Sequence, residues 1–142
     1  MIVGRACDRL NRHVGRLSAG VVVLSPVDVI LDRERHLVVQ PDIVFVRPDR
    51  LGMCKDRIWG VPDLVVEVLS MGNLRHDRTV KLGWYRTYGV PECWLVDTIA
   101  RSITVVDLTT AADASRTFEG QTRVRSGVLP RLRLKPPSLF SQ

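Results

Sequence analysis

The stretch Asp63-Leu64-Val65-Val66-Glu67-Val68-Leu69, the run Asp77–Tyr88 and the string Gly89-Val90-Pro91-Glu92-Cys93-Trp94-Leu95-Val96 together decide the fold. The first is almost wholly apolar, which reads as a central strand covered on both faces. Ser70–His76 is a connection, after which Asp77 is placed to cap a helix. Gly89 ends that helix, with Pro91 two positions on. Glu92–Val96 is a second buried strand. Strand, helix and strand in this order predict a right-handed crossover between two parallel strands.

Upstream, Ala6, Leu10 and Val14 recur along one stripe, so Arg5–Gly15 reads as a helix that Gly15 stops. Gly20–Leu24 and Val27–Leu31 are β-branched strands divided by Ser25-Pro26, and Asp32–His36 is a polar turn. Leu37–Arg47 reads as one strand kinked at Pro41, and Pro48–Gly60 as a loop. Downstream, Asp97–Arg101 turns the chain and Ile103–Leu108 completes a hairpin. A polar loop follows at Thr109–Ser115, then short strands near Thr117–Phe118 and Thr122–Val124 and an apolar patch at Val128–Leu134. Pro136-Pro137 ends the domain. The expected class is mixed α/β: a central, partly antiparallel sheet with few helices.

The 142 residues suit a single domain able to bury a core. Hydrophobic residues at 45% and charged residues at 25% exclude a wholly disordered chain. No apolar run approaches the ~20 residues of a bilayer span. Residues Met1–Arg5 carry no signal-peptide pattern, so the expected location is the cytoplasm. Cys7, Cys54 and Cys93 are odd in number and lack a C-x-x-C pair, which argues for idle or buried thiols rather than a disulfide or zinc frame. The formal charge is +6, and only Lys55, Lys81 and Lys135 among the 21 basic residues are not Arg. Arg suits phosphate and carboxylate, but a chain-wide preference for Arg gives the same composition.

Glu67 is the sharpest oddity, because a carboxylate interrupts the most apolar strand. Buried carboxylates are paired or bound to a cation. Asp42 opens another apolar run, Ile43-Val44-Phe45-Val46. Two acids at adjacent strand ends make a hard-oxygen site for Mg²⁺. Lys81, on the following helix, can reach the same strand ends and steady a nucleophile or a phosphate. The plainer readings stay open: Glu67 paired with an arginine, Asp42 as a strand-start polar residue, and Lys81 paired with Asp77 at i,i+4. Trp84, Tyr85 and Tyr88, at helical spacing, read as core or interface residues.

The ordered strings Gln40-Pro41-Asp42-Ile43-Val44-Phe45-Val46, Pro62–Ser70, Asp77-x-x-x-Lys81, Gly89–Asp97 and Leu129-Pro130-x-Leu132 closely resemble the Uma-type restriction endonuclease family of the PD-(D/E)XK nuclease superfamily, over roughly residues 5 to 140. The resemblance implies a restriction-endonuclease-like fold, with Asp42 as the first motif acid and Glu67 as the second. Leu69 stands where most of the superfamily has a lysine, and Lys81 matches a lysine displaced onto the next helix. The implied activity is Mg²⁺-dependent hydrolysis of DNA phosphodiester bonds, with Mn²⁺ as substitute. Asp42, Glu67 and the Val68 carbonyl would hold the metal, Lys81 would orient the nucleophile, and Ser70 and Asp77 would support them. A homodimer suits double-strand cleavage. Family members usually carry an N-terminal extension with a glutamate before the first helix, whereas the first glutamate here is Glu34. The chain therefore reads as a shortened copy in one domain. The rival expectation is a catalytically inactive nuclease-like module for oligomerisation or nucleic-acid binding. Gly83, inside the helix of Lys81, loosens that helix.

Overall fold

The apolar run at 63–69 folds as the inner strand that its composition predicts. In the computed structural model, which describes residues 2–17, 20–69, 75–110 and 114–140, it is β5 (Leu64–Leu69). The chain builds α1 (Ile2–Leu17), β1 (Val21–Leu24), β2 (Val29–Asp32), β3 (Leu37–Val39) and β4 (Ile43–Val46) before β5. After it come α2 (Arg75–Tyr88), β6 (Glu92–Asp97), β7 (Ser102–Asp107), β8 (Ser115–Glu119) and α3 (Pro137–Phe140). β5 and β6 run parallel, with Leu64 opposite Glu92 and Leu69 opposite Asp97, and α2 is the crossover between them. The six-stranded sheet has the order β1-β4-β5-β6-β7-β8, and its other neighbours pair antiparallel. β2 and β3 form a separate ribbon.

The alternation of side chains across the sheet creates two cores. On one face Ile43, Phe45, Leu64, Val66, Trp94 and Val96 pack against Leu10 and Val14 of α1 and Leu132, Leu134 and Leu139 near the C-terminus. On the other, Val44, Val65, Cys93 and Leu95 pack beneath Tyr85 of α2 and Val29, Leu31 and Val39 of the ribbon. Burial on both faces is why the β5 sequence lacks the polar alternation of a half-exposed strand. Cys7 and Cys93 are buried, Cys54 is half-buried, and all three are free thiols.

Several boundaries differ from expectation. α1 does not stop at Gly15 but runs to Leu17. A glycine inside a helix costs about 1 kcal/mol, less than the burial of Ala6, Leu10 and Val14 returns. Leu37–Arg47 is not one kinked strand: Leu37–Val39 pairs with β2, while Ile43–Val46 pairs with β1 and β5. Proline cannot donate to a ladder, and at Pro41 the chain changes sheet. Asp77 is not the cap of α2, which begins at Arg75. Pro136-Pro137 does not end the domain, because Pro137 opens α3, which buries Leu139 and Phe140. Proline fits the first helical position, where its missing N–H has no partner to lose. Arg5 then donates from Nη1 to the Leu139 carbonyl at 3.1 Å, tying the two ends of the chain together. The expected strand at Thr122–Val124 is irregular, although Val124 N–H bonds the Leu134 carbonyl at 2.8 Å.

Gly83 lies within α2 with nothing inside 4 Å of the place its Cβ would occupy. Gly83→Ala is expected to stabilise the protein by about 0.5–1 kcal/mol, read as a higher thermal midpoint.

The ribbon is pinned to α2 by Tyr88, whose hydroxyl donates to Asp32 Oδ2 at 2.8 Å. That bond, followed by the Arg35 backbone N–H, holds the Asp32 carboxyl below its ordinary value. The same bond raises the Tyr88 phenol. The lowered Asp32 stabilises the fold above its unfolded pKa, and this contribution is lost as pH falls through the folded value. The raised Tyr88 stabilises it below its unfolded pKa, and this contribution is lost in alkali. Tyr88→Phe is therefore expected to flatten both ends of the stability–pH curve, measured by urea unfolding at stepped pH.

Candidate active site

Among the described residues three carboxylates are buried in or beside the sheet, and their partners tell them apart. Asp63 is 3% exposed and accepts the Arg47 N–H and Arg50 Nη1, each at 2.8 Å. Glu92 accepts Trp94 Nε1 at 2.9 Å, Gly127 N–H at 2.8 Å and the Ser126 hydroxyl. Both are held by donors that close turns and strand ends. A buried acid in this fold is thus not by itself a site.

Glu67 differs. It is 7% exposed, shares a face of β5 with Val65, and points under α2. Its Oε2 accepts the Tyr85 hydroxyl at 2.6 Å and lies 3.8 Å from Lys81 Nζ, an ion-pair distance rather than a hydrogen bond. Lys81 and Tyr85 are one helical turn apart, so a single stripe of α2 brings both to the same oxygen. The ion pair of Lys81 with Glu67 reaches across the fold, from the second turn of α2 to β5, as expected of a lysine on the helix that follows that strand.

Asp42 arrives from the neighbouring strand. Its Oδ2 accepts the Val68 N–H at 2.7 Å. The β4–β5 register sets Ile43 opposite Val66, and one step further sets Asp42 opposite Glu67. Residues opposite one another in an antiparallel pair share a face. Val44, on the Asp42 side of β4, and Val65, on the Glu67 side of β5, belong to the same core. Asp42, Glu67, Val68 and Lys81 therefore come together at one end of β5. Ser70 lies outside the described residues, as does the side chain of Asp77.

Glu67, Arg78, Lys81, Leu82, Tyr85 and Cys93 surround a cavity of about 20 Å³, room for one water-sized occupant. Burial first, and then the Glu67 charge, push the Tyr85 phenol far above the ordinary tyrosine range, so its hydroxyl stays a donor. Burial, followed by the charges of Glu67 and Glu92, raises the Cys93 thiol, which leaves it a neutral wall rather than a nucleophile.

The donor set fits a hard divalent ion in part. Mg²⁺ is bound through one or two carboxylates completed by water and substrate oxygens, rather than by a full protein cage. Among the described residues no three His, Cys, Asp or Glu side chains form a metal-holding cluster, and the acids brought to this end of β5 are Asp42 and Glu67. Tyr85 is the core residue that its spacing predicts, and its bond to Glu67 is what the spacing did not reveal. Helical spacing marks the ring for burial and leaves no signal of what its hydroxyl meets.

The strand order and the parallel β5–β6 pair define a nuclease-like mixed α/β fold. The crystal structure of a putative nuclease belonging to DUF820 from Anabaena variabilis has the same fold, with a TM-score of 0.80 and 19% identity over 99% of this chain and 78% of that one. The Uma2 family model, described as a putative restriction endonuclease, matches residues 2–136, and the chain belongs to that family. No curated protein matches the chain. No helix among the described residues is long and apolar enough to cross a membrane.

Proposed function

We propose that the protein is a Mg²⁺-dependent endonuclease that hydrolyses DNA phosphodiester bonds. The observation that carries this reading is the meeting of Asp42 and Glu67 at one end of β5 beside Lys81, 3.8 Å from Glu67. Asp42, Glu67 and the Val68 carbonyl would hold the ion. When bound, such an ion lowers the pKa of water and neutralises charge on the phosphoryl group. Lys81 sits where its ammonium can steady an attacking hydroxide or a phosphate oxygen. Tyr85 fixes the Glu67 carboxylate, which narrows its rotamers before any ligand arrives. Family membership and the nuclease-like fold support the class, while the choice of DNA and of Mg²⁺ rests on the hard-oxygen donors and the arginine-rich surface. A homodimer would place two such sites on the two strands of a duplex.

The test is plasmid nicking with Mg²⁺ or Mn²⁺ in the wild type and in Lys81→Ala, together with calorimetric Mn²⁺ titration of the wild type and Asp42→Ala. Nicking that falls in Lys81→Ala, and Mn²⁺ heat that disappears in Asp42→Ala, support the enzyme. A wild type silent in both assays at millimolar metal leaves an inactive nuclease-like module.

A further inference from the structure

From Gly120 to Gln142 the chain has no Asp or Glu, yet it carries Arg123, Arg125, Arg131, Arg133 and Lys135. Most of the chain's excess of +6 is concentrated there. The backbone sorts these residues outward: Val124, Leu132 and Leu134 are buried, while all five cations alternating with or flanking them are exposed. The bond from Val124 N–H to the Leu134 carbonyl lays the two arginine-bearing stretches side by side. Among the described residues none of the five pairs with a carboxylate. Arg125 also lines an open cleft with Arg47 and Arg116. The two carboxylates in that cleft are engaged: Glu92 by Trp94, Ser126 and Gly127, and Asp107 by Thr109.

This strip covers the face of the sheet opposite Glu67. Val124 and Leu134 pack with Trp94 and Val96, whereas Glu67 faces Tyr85 on the other side. We infer that the strip is a docking surface for the sugar–phosphate backbone of a nucleic acid, separate from the two-acid site. Guanidinium forks match phosphate oxygens, and unpaired like charges on one surface create a field that a polyanion relieves. Residues 120–135 contain no aromatic side chain on which a base could stack, so the contact reads backbone and not sequence. Docking here needs no metal, and it would hold a nucleic acid on the molecule while another part of it meets the opposite face.

The experiment measures anisotropy of a short fluorescein-labelled duplex in EDTA between about 50 and 200 mM salt. It compares wild type with the triple variant Arg123→Gln/Arg125→Gln/Arg133→Gln. A second triple variant, Arg33→Gln/Arg35→Gln/Arg57→Gln, removes the same charge from the β2–β3 side. The first triple is expected to bind at least about tenfold more weakly, with its log–log salt slope reduced by roughly three, and the second to stay near wild type. Equal losses in both triples would reduce the effect to net charge and overturn the proposal. So would a first triple that binds like wild type, or a wild type that ignores the duplex while sedimenting with phosphatidylglycerol vesicles. Mn²⁺ titration of the first triple separates this result from the endonuclease reading: retained metal heat with lost duplex binding assigns the strip alone. Duplex binding through the strip with no metal heat in the wild type sinks the endonuclease and leaves the strip standing.

Discussion

In Glu67→Gln, Mn²⁺ binding is expected to drop by at least about a hundredfold and plasmid nicking to fall below detection, because the amide keeps the shape of the side chain but not its charge. The Tyr85 hydroxyl can still donate to the amide oxygen, so the protein should stay folded, as its circular dichroism will show. Tyr85→Phe makes the complementary change. The charge on Glu67 remains and its 2.6 Å donor is lost. Removing a partner that orients a ligand typically costs 10–100-fold in metal affinity, and that range is expected here. The pair of variants separates a metal-holding carboxylate from a structural one. Were Glu67 only a buried partner for Tyr85 and Lys81, both changes would lower stability and neither would move metal heat.

Arg50→Ala carries the largest expected loss of stability. Arg50 Nη1 bonds Asp63 Oδ1 at 2.8 Å, and its Nη2 bonds the Val61 carbonyl at 2.6 Å. The Asp63 side chain is 4% exposed, so truncating Arg50 strands a buried charge with only the Arg47 N–H to satisfy it. Breaking such a pair costs about 3–5 kcal/mol; since Arg50 is partly exposed, water can replace some of the lost contact, which sets the expectation at the lower end. Arg50→Lys should recover part of the loss, because one ammonium reaches Asp63 but cannot also fork to Val61. Urea midpoints of the three proteins decide the matter, and equal midpoints would remove the clamp from the account of β5.

The central crossover was legible because several local signals agreed: an unbroken apolar run, the Gly89 stop and a second apolar strand. Gly89 indeed adopts φ 85°, the left-handed conformation expected just past a helix. The ribbon was hidden because Leu37-Val38-Val39 and Ile43–Val46 have the same chemistry, and nothing local assigns them to different partners. α3 was hidden because two consecutive prolines resemble a terminus, while the burial of Leu139 against α1 is a contact between opposite ends of the chain. At the site, Glu67 stood out as a charge in an apolar strand, and Asp42 and Lys81 could be placed from strand and helix ends. Tyr85 could not, since a tyrosine buried for its ring and one buried for its hydroxyl leave the same spacing. Asp63 and Glu92 lie at strand starts, where an acid draws no notice, and their burial follows from distant donors.

Tyr85 and Lys81, which both meet Glu67, ride on one helix. Unwinding the middle of α2 would therefore remove both of these contacts and open the cavity beside Glu67 in a single event. Amide hydrogen exchange along that helix should accordingly report on the alignment of the carboxylate, and slow further when a divalent ion is added.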